Sequence, residues 1–179
     1  MADVERLLAV CTDDRYRAVI LLATEAGLRA GEIRGLQWTD IKDGQLTIRR
    51  QLDRETSLPV PPKHNKARVV PMSARIVQTL ATLKRRGIWI VSCLDGSSLG
   101  YDGMLEAVHA LYDRAKVARP QKALHQLRHA FGTEMAKRVP LPVLQELMGH
   151  ESVTTTMEYV DVDPEQKRDA IALVFGAVQ

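Results

Sequence analysis

The chain has 179 residues, enough for one domain to bury a core without metals or disulfides. Apolar residues make up 45 % and charged residues 26 %, which excludes a disordered chain, and no apolar run approaches the roughly 20 residues of a membrane span. The net charge of +3 is unevenly spread: residues 49–87 hold ten Lys or Arg against two acids, while the flanks are mildly acidic. A basic middle of this kind suits a surface that meets a polyanion, with a merely solvated basic face as the alternative.

The opening "MADVERLLAV" lacks a basic segment followed by an apolar one, so it reads as the first helix rather than a secretory signal. Cys11 and Cys93 lack CxxC spacing and read as reduced structural thiols. A cytoplasmic location is expected. Helical periodicity continues through "DRYRAVILLATEAG" and "RAGEIRGLQW", with Gly27 suited to end the helix before it. Three short runs follow, "GQLTIRRQLD", "SLPVPPKH" and "ARVVPM", rich in β-branched residues and bounded by Gly, Pro or Asn. They predict three antiparallel strands, the middle one kept to an edge by Pro59, Pro61 and Pro62. Helical spacing returns at "SARIVQTLATLKRRG", with Ser73 as N-cap, and "IWIVSCLDGSSLG" reads as an extended piece and a loop. Further helices are expected at about 102–116, 124–138, 141–148, 152–160 and 164–175. The predicted fold class is mainly α with a small three-stranded antiparallel β-sheet, an α+β arrangement in one domain over 1–179.

The stretch "ALHQLRHAFG" places His125, Arg128 and His129 within about one helical turn. Two histidines four apart suggest a zinc site, but zinc needs three or four convergent ligands, and Arg128 would set a fixed positive charge beside the cation. His125 and Arg128, three apart, share a face that suits an oxyanion, above all a phosphate. His129 is then expected to pack or to bond locally. Arg29 opens a helix after the Gly27 turn in "GLRAGEIRGLQW", and Lys63 stands in the turn of "PPKHNKARVVPM". His150 follows a glycine in "LQELMGHESVTTTMEYV", and Tyr159 comes nine residues later. Each of these alone reads as an ordinary surface or half-buried residue.

Together they are ordered. The set Arg29, Lys63, His125, Arg128, His150 and Tyr159 resembles the tyrosine recombinases, the phage-integrase family, over essentially the whole chain. The resemblance implies a tyrosine recombinase catalytic-domain fold and a site-specific recombinase acting on double-stranded DNA. Residue chemistry agrees with it. A tyrosine hydroxyl attacks a phosphodiester to leave a 3′-phosphotyrosyl enzyme, and Arg29 and Arg128 offset the added negative charge. His125 is the candidate to take the tyrosine proton, Lys63 to protonate the departing 5′-oxygen, and His150 to donate to the phosphate. The register "K-x-N-K-x-R-V-V-P" favours Lys63 over Lys66 for the acid. Neither a metal nor another cofactor is required. Within the basic middle, Lys66, Arg68, Lys84, Arg85 and Arg86 are the candidates for DNA-phosphate contacts.

In full-length members the resemblance implies a separate N-terminal helical domain that clamps the other face of the DNA, and a homotetramer on that DNA. Here only about 28 residues precede Arg29, so a catalytic fragment, monomeric by itself, is expected. The stretch "DPEQKRDAIALVFGAVQ" carries an apolar stripe suited to docking on a neighbouring protomer or on its own domain. A type IB topoisomerase and a DNA-binding module without chemistry are the competing readings.

Overall fold

The structure, a computed structural model, describes residues 1–149, 153–157 and 159. Helices α1 (Ala2–Val10) and α2 (Asp14–Thr24) open the chain, and the Asp13 side chain caps α2 by accepting from the Arg15 backbone N–H at 2.9 Å. Every residue of α2 from Ala18 to Thr24 is buried, which makes it the central helix of the domain. It ends at a turn through Gly27, whose φ of +65° is left-handed. A Cβ at this position would lie 2.6 Å from the Phe131 ring, so the turn is pinned both by its backbone and by its neighbour. Helix α3 (Ala30–Gly35) follows at once with Arg29 as its N-cap.

The sheet region departs from the expected run of three strands. Strands β1 (Ile41–Lys42), β2 (Gln45–Ile48) and β5 (Arg68–Pro71) form one antiparallel sheet in the order β1-β2-β5. Strands β3 (Gln51–Leu52) and β4 (Pro59–Val60) pair separately. The split has a cause at each end. Arg49 and Arg50 turn to the buried Asp40 carboxylate at 2.5 Å each, which breaks the first run after Ile48. Pro59, Pro61 and Pro62 lack the N–H that a longer ladder needs. In the main sheet Leu46 faces Val70 and Ile48 faces Arg68, and all four side chains are buried.

Ser73 caps α4 (Ala74–Thr82), accepting from the Ile76 N–H at 3.2 Å. The helix stops short of the expected Gly87. Thr82 turns its hydroxyl back to the Thr79 carbonyl at 2.8 Å, and three like charges follow at Lys84, Arg85 and Arg86. Helices α5 (Tyr101–Arg114), α6 (Ala123–Ala136), α7 (Leu141–Met148) and α8 (Val153–Met157) complete the described elements. The helix expected at about 164–175 lies outside the described residues.

The main core gathers Leu7, Ile20, Leu22, Leu28, Ile48, Met104, Val108 and Leu127 from α1, α2, β2, α5 and α6. A smaller cluster of Phe131, Leu144 and Met148 joins α6 to α7, and Tyr159 packs against it. That second cluster is what holds the tyrosine to the body of the domain.

Candidate functional site

The site is organised around a carboxylate that sequence reasoning did not single out. Glu32, in the first turn of α3, is fully buried. Its Oε2 accepts from the Arg29 backbone N–H at 2.8 Å, which fixes the start of the helix. Three guanidiniums surround it. Arg29 approaches Oε1 at 3.1 Å, Arg68 pairs with both oxygens at 2.8 Å each, and Arg128 stands 3.9 Å from Oε2. Burial pushes the Glu32 carboxyl up, but the Arg68 hydrogen bonds and charge, with those of Arg29, outweigh it and hold the group at about 2.

The same guanidiniums converge on the end of α7. Arg68 Nε donates to the Leu147 carbonyl at 2.9 Å, and Arg128 Nη2 to the Met148 carbonyl at 2.7 Å. Arg29 Nη1 reaches the Met148 carbonyl at 3.5 Å, and Arg128 Nη1 donates to the Gly27 carbonyl. The carbonyl end of a helix carries partial negative charge, so these bonds neutralise α7 as they brace the arginines. Helix α7 ends at Gly149, whose φ of +64° is left-handed. Cationic charge still exceeds the one carboxylate, and an exposed oxyanion is the natural ligand of such a cluster.

Arg128 is 3 % exposed, and burial, then the like charge of Arg29, lower its pKa to about 9, so it stays protonated at neutral pH. Arg29 keeps more contact with solvent, its side chain 23 % exposed. His125 counts among the exposed residues, yet desolvation, followed by the charges of Arg128, His129, Lys122 and Arg29, holds its imidazole below the usual 6.5. His129 packs against Tyr159, ring centroids 4.9 Å apart at 43°. The Tyr159 ring fills the space that a side chain at Gly132 would need, since a Cβ there would lie 2.5 Å from its Cε1. Tyr159 also acts on Arg128 electrostatically, which places the phenol near that guanidinium.

Arg29, Arg128, His125 and Tyr159 therefore belong to one site. His150 lies outside the described residues, one position beyond Gly149. Lys63 is exposed on a single 3₁₀ turn, Lys63–Asn65, in the segment between β4 and β5. Lys66 is exposed as well and lines, with Gln145, Glu146 and Gly149, a cleft of about 460 Å³ between the start of β5 and α7.

The basic middle is not one surface. Arg68, expected at the DNA, is turned inward and 7 % exposed, because it is in phase with buried Val70 on β5 and meets Glu32 there. Lys84, Arg85 and Arg86 are exposed but lie at the far end of α2 from Arg29. Helix α4 runs back along α2, from a hydrogen bond between Ser73 and Glu25 to one between Thr82 and Asp14 at 2.9 Å. The eleven residues of α2 put about 16 Å between its two ends. Lys84 and Arg86 share a cleft with Asp13 and Asp14, and Arg85 stacks over Trp38 at 4.5 Å.

Two features of the site were missed in the sequence although signals for them were present. Glu32 closes the "GLRAGE" segment three residues after Arg29, the spacing at which a first-turn carboxylate caps a helix. Arg68 sits two residues before Val70, the period that shares a strand face. Among the described residues no group of three or more His, Cys, Asp or Glu stands together to hold a metal ion, and no helix is long and apolar enough to cross a membrane.

Arginines gathered round a buried carboxylate beside a tyrosine ring stand on a mainly helical scaffold with one small sheet, an arrangement whose excess positive charge suits an oxyanion. The chain belongs to the phage integrase family, whose sequence profile matches residues 1–166. It is 25 % identical over 202 residues to the tyrosine recombinase XerC-like protein of Caldanaerobacter subterraneus subsp. tengcongensis, covering 94 % of this chain and 51 % of that protein. It is 30 % identical over 156 residues to tyrosine recombinase XerC of Agrobacterium fabrum, covering 83 % and 46 % respectively. The chain thus spans about half the length of these curated relatives. Among solved structures, the Tn1549 transposon integrase in complex with a circular intermediate DNA superposes with a TM-score of 0.79 at 22 % identity, over 95 % of this chain and 63 % of that one. The fold is that of tyrosine recombinase catalytic domains.

Proposed function

We propose that this chain is the strand-cleaving and rejoining part of a site-specific DNA recombinase. The observation that carries the reading is the convergence of Arg29 and Arg128 on Glu32 and Met148, with Tyr159 held beside them. The DNA phosphate binds against the two guanidiniums, which stabilise the charge that grows on its non-bridging oxygens. The Tyr159 oxygen bonds to phosphorus and the bond to the 5′-oxygen breaks, leaving a 3′-phosphotyrosyl intermediate. His125, held neutral at physiological pH by its surroundings, accepts the tyrosine proton. Lys63 donates a proton to the departing 5′-oxygen, and His150 donates a hydrogen bond to the phosphate. Attack by a 5′-hydroxyl on the phosphotyrosyl bond reverses the steps and rejoins the strand, so no external energy source enters.

Double-stranded DNA is the partner in this reading. The curated relatives are longer than this chain, and the tetrameric assembly on DNA belongs to the whole protein. Lys66, beside the site, and Lys84, Arg85 and Arg86, at the far end of α2, would contact DNA phosphates. A DNA duplex nicked beside the scissile phosphate tests the reading: cleavage releases a short 5′-hydroxyl fragment and traps the covalent complex. Failure to form that complex with wild-type protein bound to its site would overturn it. Exchange of strands between two duplexes, rather than relaxation of one, separates a recombinase from a topoisomerase.

A further inference from the structure

Among the described residues two buried cations lie outside the six motif positions, Arg34 and Arg68, and of these Arg68 reaches the site although the phosphate chemistry makes no direct use of it. Arg68 enters the site from β5, five residues after Lys63, with its backbone fixed opposite Ile48 in the sheet. Its two terminal nitrogens take both oxygens of Glu32 at 2.8 Å, and its Nε takes the Leu147 carbonyl at 2.9 Å. Its side chain runs close past Gly149, where a Cβ would come 3.0 Å from Nη1, 3.1 Å from Cδ and 3.3 Å from Cζ. One side chain therefore touches the helix start that carries Arg29, the helix end that precedes His150, and the strand that follows Lys63.

We propose that Arg68 is a positioning residue: it locks Glu32 in a planar two-point pair and thereby sets where Arg29 and Arg128 stand for the phosphate. The proposal rests on the phosphoryl-transfer reading given above. Fork-to-fork pairing is the strongest arrangement a carboxylate and a guanidinium can make, and Arg68 alone makes it with Glu32. Glu32 therefore holds Arg29 and Arg128 at longer range, 3.1 and 3.9 Å. Without Arg68 the same carboxylate has two responses. It draws one of the other guanidiniums into the vacated place, or it takes up a proton because its burial is no longer offset. Both misplace the charge that the transition state needs. Lysine is no substitute, since a single ammonium has no planar fork.

The test uses single-turnover cleavage of the nicked duplex from pH 5 to 8.5, with thermal melting of each protein alongside. The charged groups facing Glu32 are Arg29 from the start of α3, Arg68 from β5 and Arg128 from α6. In Arg68→Met the Glu32 carboxyl titrates above its wild-type place, because its burial is less offset, and its protonation adds to the acid limb that His125 sets, so cleavage begins to fall at a higher pH. In Arg68→Met/Glu32→Gln, where nothing at position 32 titrates, the limb returns to its wild-type place. Arg68→Lys keeps the charge, so cleavage slows but the limb stays. A ¹³C NMR titration of the Glu32 carboxyl follows the same shift without DNA. Cleavage by Arg68→Met at the wild-type rate across the pH range would overturn the proposal, whatever the Glu32 titration does. Loss of the melting transition in both Arg68→Met and Arg68→Lys would overturn it too, by making the role purely structural. A wild-type protein that binds DNA but forms no covalent complex would instead overturn the recombinase reading, and the NMR titration separates the two failures.

Discussion

The rings of His129 and Tyr159 lie 4.9 Å apart between centroids, tilted by 43°, with Gly132 leaving the room that the phenol occupies. The Tyr159 ring is thus steered by its neighbours on α6, His129 next to Arg128 and Gly132 about one turn beyond it. Tyr159→Phe keeps this ring packing and removes only the hydroxyl. DNA binding is expected to persist and covalent complex to vanish on the nicked duplex. A covalent band that survives the substitution would end the assignment of Tyr159.

Arg128 is worth testing because it is buried, bonded to Gly27 and Met148, and close to Glu32. Arg128→Ala leaves the nucleophile in place but strips one fixed charge from the transition state. Cleavage should slow by roughly 10²–10³-fold, as for one lost oxyanion donor. Arg128→Lys should recover part of that loss at most, since one ammonium cannot reach Gly27, Met148 and a phosphate together. Equal rates for wild type and Arg128→Ala under saturating enzyme would remove Arg128 from the chemistry.

Helix placement was legible because the apolar period was strong in "DRYRAVILLATEAG", which became the buried α2, and because Gly27 marked its end. Arg29, His125, Arg128 and Tyr159 stand far apart in the chain, and the order in which they occur is what groups them in the sequence; the fold brings them near one another. Strand membership was not legible, because "GQLTIRRQLD" looks like one strand until the buried Asp40 draws Arg49 and Arg50 away, a tertiary contact that no local pattern announces. Counting charge along residues 49–87 misled in a similar way. Arg68 adds to that count yet faces inward, while Lys84 and Arg86 face Asp13 and Asp14 at the other end of α2. Charge in sequence becomes a surface only after the fold has sorted it.

His125 makes a prediction about pH. Desolvation and the cationic neighbours Arg128 and Arg29 hold its imidazole below 6.5, so it is neutral, and able to accept a proton, across the neutral range. Cleavage should be level near pH 7–8 and fall on the acid side, with a midpoint below 6.5. His125→Ala should slow cleavage by about 10²–10⁴-fold and abolish that acid limb. A limb that persists in His125→Ala would assign the titration to another group.

The general acid is tested by changing the leaving group. A 5′-bridging sulfur departs as a thiolate and needs no proton. Lys63→Ala should cleave ordinary DNA poorly and the sulfur-bridged duplex at close to the wild-type rate. Lys66→Ala, at the cleft beside Gly149, should lose affinity in proportion to one phosphate contact and show no such rescue. If sulfur rescues Lys66→Ala instead, the two lysines exchange roles.

Glu32 links the site to the stability of the domain. Its carboxyl sits at about 2 in the folded chain against 4.5 without these neighbours, so the folded state favours its ionised form. A depressed carboxyl stabilises the fold above pH 4.5, and that contribution disappears as the pH falls towards 2. Its size is on the order of 3 kcal/mol. Glu32→Gln removes the titration but leaves Arg68 and Arg128 buried without their counter-charge, which costs about 3–5 kcal/mol at neutral pH. Denaturant unfolding of both proteins between pH 7 and 2.5 should therefore give curves well separated at pH 7 that converge in acid. The depressed carboxyls of Asp13, Asp53 and Asp95 titrate in both proteins and cancel from the difference. Parallel curves would mean that the Glu32 charge contributes nothing to the fold, and that the three arginines are held in place by the carbonyls of Gly27, Leu147 and Met148 alone.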